Sequence, residues 1–486
     1  MSLPFIAYLC TLNYSKPRMN FKRSTTIALT VAVAFFMQNL DTTAVNTAIP
    51  KMAESFDTDV IHLSAGITSY MIALAIFIPV SGWIADRFGT RKVFCTAIVL
   101  FIISSVLCGM SHTLLQFVLC RIMQGMAGAM MTPVGRLAVL KATPKSELVK
   151  AMNYITLPAL VAPILGPLVG GYLATYFTWH WIFYLNVPVS IICIILAWKH
   201  MPKDDEDKTS TTKHFDTVGF VLSGLGLAGF MFGMEMFSQN GISYWIPASI
   251  AITGLILTYL NFKYSKHTSS PLIDYSILTI PTYRVTIFTG TISRMVIGVA
   301  PYLIPLMFQI GFGMSPFESG LLFVATMVGN LSMKTITVQV IRRFPFRNIL
   351  IINGALIALF TFLTSLLLPD TPIYLIVMLM FFSGMVRSMQ FTSITTLAFS
   401  DVPEGRMTAA NSLYSTIQQM SSGMGIAMGA VILRFSNIIN DGQEGVYAVA
   451  DFKLSFIVIA VLALVHLYGY TKLTPDAGDT VRNKDK

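Results

Sequence analysis

Charge is what this chain has least of. Asp, Glu, Lys and Arg make up 12% of its 486 residues and hydrophobic types 54%, with a mean hydropathy of +0.68. Soluble domains carry about 25% charged residues, so the composition excludes a soluble multidomain protein. Cysteine is also scarce. Cys10, Cys95, Cys108, Cys120 and Cys193 show no paired or metal-ligand spacing, and all but Cys10 lie in apolar segments. They read as small packing residues, and no metal site is expected. Catalytic motifs are missing too. The absence of G-x-x-x-x-G-K-[ST] removes a pump driven by nucleotide hydrolysis, and H-E-x-x-H and G-x-S-x-G are absent as well. No enzyme is expected, and no cofactor beyond an ion gradient.

What is present is a series of long apolar runs. About 20 such residues are needed for one helical span. Fourteen segments qualify, near 25–48, 66–85, 93–111, 114–139, 152–173, 182–198, 217–237, 244–262, 285–308, 317–340, 348–368, 372–399, 408–433 and 452–470. The fold class is therefore all-α integral membrane, with the lipid bilayer as partner. The net charge of +10 could suggest nucleic acid, but the Lys and Arg residues cluster in the short segments between spans. With the N-terminus placed in the cytoplasm, 25 of the 33 fall inside, 3 outside and 5 within spans. That bias supports both an even span number and cytoplasmic termini, and no nucleic-acid partner is expected. Met19 opens a basic lead, "MNFKRSTTIALT", and reads as a true or alternative start in place of Met1.

The expected organisation is a cytoplasmic segment 1–24, a six-helix bundle 25–198, a linker 199–216, an inserted helix pair 217–262, a linker 263–284, a second six-helix bundle 285–470 and a tail 471–486. An internal repeat supports the two halves. "DRFGTRKVF" (86–94) aligns without gaps on "RRFPFRNIL" (342–350), matching Arg87 to Arg343, Phe88 to Phe344 and Arg91 to Arg347. Each stretch follows the second span of its half, as parallel six-span repeats require.

Several motifs resemble those of the major facilitator superfamily. "GWIADRFGTRKVF" (82–94) resembles its loop signature, with Gly82, Asp86, Arg87, Gly89 and Arg91 in place. "RIMQGMAGA" (121–129) resembles its fourth-span motif, and "APILGPLVGG" (162–171) its fifth-span antiporter motif. "LDTTAVNTAIP" (40–50) and "WHWIFYLNVP" (179–188) are similar to signatures of the fourteen-span drug:proton antiporters, the EmrB/QacA type. The resemblance implies two six-helix bundles plus an inserted pair, and proton-coupled export of amphiphilic compounds across a bacterial inner membrane. It also implies a monomer, with a periplasmic adaptor as a candidate partner. A same-fold exporter of an organic anion, siderophore or metabolite is the alternative; a channel or sensor is a third.

Each motif also has a plain physical reading. Glycines in the 82–94 loop permit a tight turn between spans, and Arg87 and Arg91 hold that loop inside. The resemblance adds a conformational latch through Asp86 and Arg91, with Arg136 as a partner for Asp86. In the fifth span, Gly166, Gly170 and Gly171 allow close helix approach, while Pro158, Pro163 and Pro167 favour a bend. Ala162 stands where the motif often has glycine.

Asp41 interrupts the first apolar run. With about 1.5 Å of rise per residue, Asp41 and Arg121 both lie roughly 10–12 Å below the outer end of their spans. They can therefore meet, and their pairing could load and release a proton; the alternative is a static buried ion pair. Pro50 marks the outer exit of this span. Arg294 and Arg387 are too deep to reach the interface and are expected to face a central substrate cavity. Lys334 is expected to snorkel inward, and Glu235 is a cavity or interfacial candidate. Basic residues within spans outnumber acidic ones, which hints at an anionic, zwitterionic or amphiphilic cargo.

Overall fold

The computed structural model describes residues 23–58, 60–202, 214–237, 243–268, 271–314, 316–440 and 447–482; Met1, Met19, Cys10 and the central part of the 199–216 linker lie outside them. Helix is the only regular element among the described residues. In chain order the first half comprises α1 (Arg23–Ser55), α2 (Val60–Phe77), α3 (Val80–Phe88), α4 (Thr90–Gly109), α5 (Leu114–Ala142), α6 (Leu148–Tyr176), α7 (His180–Tyr184) and α8 (Asn186–His200). Then come α9 (Thr217–Met236) and α10 (Trp245–Ser265). The second half comprises α11 (Pro281–Leu306), α12 (Pro316–Arg343), α13 (Phe346–Ser365), α14 (Ile373–Ser400), α15 (Met407–Ile439), α16 (Val449–Thr471) and the short α17 (Asp479–Arg482).

Among the described residues, twelve helices are long and apolar enough to cross a membrane. A thirteenth span arises if α2 and α3, bent by 58° at their junction, count as one. The expected count of fourteen is therefore not reached on these residues. The remaining segment, 152–173, falls within α6, several of whose side chains lie outside the description. The helix that carries Pro50 continues to Ser55, and Pro158, Pro163 and Pro167 lie inside α6, from Leu148 to Tyr176.

Burial places the two halves relative to each other. One apolar cluster draws on both, joining Ala85, Leu140 and Met152 to Ile341, Leu397 and Met407. These residues sit at the end that carries the basic loops. At the opposite end each half has its own cluster, Ala48, Phe117 and Phe183 in the first and Val299, Phe308 and Phe456 in the second. The halves are thus packed together at the basic-loop end and hold separate cores at the other. Helices α9 and α10 form a hairpin against α2 and α15, where Leu227, Phe230 and Ala251 pack with Ala75 and Met420.

The repeated loops are both tight junctions. The first turns at Gly89, whose φ of 89° suits a residue without Cβ, between Phe88 and Thr90. The second turns at Pro345, between Arg343 and Phe346.

Candidate functional site

Asp41 is 1% exposed and Arg121 fully buried, yet neither is alone. Arg121 Nη1 donates to Asp41 Oδ2 at 2.8 Å. Asn186 Nδ2 donates to Asp41 Oδ1 at 2.6 Å, and Gln124 Nε2 donates to the same oxygen at 3.2 Å. Both amides also donate to Ser105 Oγ, at 3.2 and 2.9 Å, and Gln124 Oε1 accepts from Arg121 Nη1 at 2.6 Å. Four side chains from α4, α5 and α8 thus gather around the carboxylate that α1 supplies. An ionised carboxylate in so apolar a place is tolerable only with this many donors.

The guanidinium is held less completely. Its carbon lies 4.4 Å from the centre of the Tyr70 ring, a cation–π contact. Its Nε and Nη2 have no hydrogen-bond acceptor among the described residues. Tyr70 Oη accepts from Gln38 Nε2 at 3.1 Å, and Gln38 Oε1 accepts from Thr132 Oγ1 at 2.6 Å. Tyr70, Gln38 and Thr132 all line a central cavity of about 590 Å³, whereas Asp41 and Arg121 do not. The ion pair is therefore one side-chain layer from the cavity.

That cavity lies between the halves and has the size of a drug-like ligand site. Its apolar wall includes Phe35, Met71, Leu74, Ile297, Phe323 and Phe391. Among the described residues its charged lining is Arg136, Lys334 and Arg387, with no acidic residue. Arg387 is 7% exposed and reaches the cavity. Arg294, expected there, lies behind the wall: its Nη1 donates to Tyr414 Oη at 3.5 Å, while Nε and Nη2 have no acceptor among the described residues. Lys334 does not snorkel. It is 6% exposed, donates to Thr392 Oγ1 at 2.5 Å and lines the cavity. The α-helix geometry explains this, because its position points inward and a neighbouring hydroxyl is in reach. The side chain of Glu235 lies outside the described residues.

The 82–94 loop meets the other half. Thr408 Oγ1 donates to Asp86 Oδ1 at 2.8 Å, and Lys141 Nζ pairs with the same oxygen at 3.6 Å. Ser412 Oγ donates to the carbonyl of Pro79, and a Cβ on Gly82 would come within 3.2 Å of Ser412 Cβ. Asp86 thus contacts α15 and Lys141. Arg136, expected as its partner, instead donates to Ser415 Oγ at 3.3 Å and lies over Tyr414. Arg87 lies over Trp83 and Phe88, and Arg91 over Trp198 at 4.3 Å. In the 162–171 stretch, a Cβ on Gly166 would fall 2.0 Å from Thr43 Oγ1, and Thr43 donates to the Ala162 carbonyl at 3.5 Å. This glycine therefore seats α6 on α1. Gly170 is buried; Gly171 has nothing within 4 Å of its would-be Cβ. The side chains of Pro163 and Pro167 are outside the described residues.

Sequence reasoning paired Asp41 with Arg121 by depth but missed the other members of the cluster. Gln124 was legible, since it sits one helical turn from Arg121 on the same face. Asn186 lies within "WHWIFYLNVP" but had no spacing to single it out. Ser105 and Tyr70 carried no signal at all.

Comparison with known proteins follows the same lines. Residues 31–427 and 286–480 match the family model described as Major Facilitator Superfamily. The "Putative multidrug resistance protein MdtD" of Salmonella paratyphi B is 38% identical over 403 residues, 83% of this chain and 85% of that protein. The protein of the same name from Pectobacterium carotovorum is 36% identical over 439 residues, 90% of this chain and 93% of its own length. Two solved structures share the fold. The proton:xylose symporter XylE aligns with a TM-score of 0.62 at 14% identity, covering 95% of this chain and 99% of its own. The human organic anion transporter MFSD10 aligns at 0.58 and 11% identity, covering 92% and 97%.

Proposed function

This chain belongs to the major facilitator superfamily, and from that premise we propose that it is a proton-coupled antiporter of a bacterial inner membrane, exporting amphiphilic small molecules by alternating access. That it is a membrane transporter and not an enzyme follows from the family. The direction and the coupling are our reading. The observation that carries it is Asp41: a buried carboxylate, ion-paired to Arg121, that does not line the cavity while Tyr70 and Gln38 beside the pair do.

Asp41 is the proton carrier in this reading. Opening the Gln38–Tyr70 contact admits water from the cavity to the ion pair. A proton then binds Asp41 and Arg121 loses its counter-charge, so the cation turns toward Tyr70 and the cavity. The reverse step restores the pair and expels the proton. Packing of the halves at the basic-loop end corresponds to an outward-facing state, if those loops are cytoplasmic as their charge argues. Asp86, Gly82 and their partners on α15 form the latch that must part for inward opening. In this reading α6 and the bent α2–α3 pair also cross the membrane, beside the twelve helices that are long and apolar enough to do so.

The test uses proteoliposomes with an imposed pH gradient and a trapped pH-sensitive dye. Asp41→Asn should bind cargo and exchange it but no longer move it against its gradient. Gradient-driven uptake at the wild-type rate in this variant would remove Asp41 from the mechanism.

A further inference from the structure

We propose that the central cavity is an anion site, and that the cargo is an organic anion, a carboxylate or sulfonate on an apolar body. The inference rests on the transporter reading above and names the substrate class of its cavity. It begins from an imbalance of charge. Arg136, Lys334 and Arg387 line the cavity, each no more than 7% exposed, and no Asp or Glu among the described residues lines it. Behind the wall Arg294 adds a fourth cation, sharing the Tyr414 ring with Arg136 at 5.2 and 5.3 Å.

No carboxylate among the described residues neutralises them. The buried acids among the described residues are Asp41, Asp216 and Asp451. Asp41 is occupied by Arg121. Asp216 accepts from the backbone N–H groups of Gly219 and Leu272 and from Tyr264 Oη, on the linker side of α9. Asp451 accepts from Asn437, Asn440 and the Ala448 N–H at the start of α16. None reaches the cavity.

The cations' own partners are neutral and few. Lys334 has the Thr392 hydroxyl, and Arg136 has the Ser415 hydroxyl and the Tyr414 face. Arg387 makes no hydrogen bond or ion pair among the described residues, so its donors are turned to the cavity. A buried cation without a counter-charge is costly unless a ligand supplies one. An anion seated between α12 and α14 would do so: the guanidinium offers paired donors to a carboxylate, and the ammonium offers a point charge. The opposite wall, with Phe35, Met71 and Leu74 on α1 and α2, takes the apolar body. A lipophilic cation would meet three like charges there and no carboxylate.

The experiment measures binding to the purified full chain in detergent, by thermal shift and equilibrium dialysis. Three probes share one ring system: 2-naphthylacetate, its carboxamide and a naphthylmethyl-trimethylammonium salt. The carboxylate should bind at least tenfold more tightly than the amide, and the quaternary amine should not bind. Arg387→Gln combined with Lys334→Gln should weaken the carboxylate at least tenfold, and Arg387→Lys should recover part of the loss. Size-exclusion profiles of each variant verify folding. A preference for the ammonium probe, no binding of any probe, or unchanged carboxylate affinity in the folded double variant overturns the proposal. Asp41→Asn should keep the carboxylate preference. If it does, and wild-type flux ignores a pH gradient, the proton-coupling reading fails while the anion site stands.

Discussion

At the scale of single residues, the Asp41 cluster shows how a membrane protein carries a charge where water is excluded. Three donors converge on two carboxylate oxygens, and each comes from a different turn or helix. Removing one charge while leaving the other is the costly change. Arg121→Ala should destabilise the folded protein by about 3–5 kcal/mol, because it leaves a buried carboxylate without its cation. Asn186→Ala should cost less, about 1–3 kcal/mol, the penalty of one lost donor to a buried acceptor. Replacing both charges, as Asp41→Asn with Arg121→Gln, should recover most of the stability and none of the proton coupling. Chemical denaturation in detergent, read alongside transport, checks all three. If the single Arg121 variant were as stable as the double, the pair would not be the closely coupled unit described here.

At the scale of elements, helix approach is decided by where small residues fall along the contact. Gly166 and Gly171 belong to one motif, yet only Gly166 touches another helix closely. Gly166→Ala would drive its methyl into Thr43 and should cost about 1–3 kcal/mol through overpacking. Gly171→Ala, with open space around it, should be neutral or slightly stabilising by helix propensity. Thermal melting of the two variants side by side checks the contrast. The motif was visible in the sequence as small-x-x-x-small spacing, but spacing cannot tell which member faces a neighbour. Pro158, Pro163 and Pro167 all lie inside α6, whose helical run extends from Leu148 to Tyr176; in a membrane helix, neighbouring groups can re-satisfy the backbone carbonyls that proline leaves free.

For the molecule as a whole, the question is which end is closed. The cluster that joins the halves lies at the basic-loop end, and Thr408–Asp86 and Ser412–Pro79 tie across it. Alternating access requires those contacts to part. Gly82→Cys with Ser412→Cys would place two Cβ atoms 3.2 Å apart, so a shift of a few tenths of an ångström reaches the roughly 3.5–4.5 Å of a disulfide. Oxidation of this double variant should abolish transport, and reduction should restore it. Flux measured before and after reductant checks the point; full activity in the cross-linked protein would mean that this contact does not open during turnover.

The sequence by itself determined the membrane class, the presence of the long apolar helices, the family and the depth at which Asp41 could meet Arg121. These follow from local quantities: hydropathy, loop charge, motif spacing and rise per residue. The tertiary structure alone decided which polar groups meet. Tyr70, Ser105 and Asn186 are remote from Asp41 in sequence and gather only because four helices cross there. It also exchanged two expected roles, bringing Lys334 to the cavity and setting Arg294 behind Tyr414. Depth along a helix is readable from residue number. Which face of that helix meets water, lipid or another helix depends on partners hundreds of residues away, and only packing fixes it.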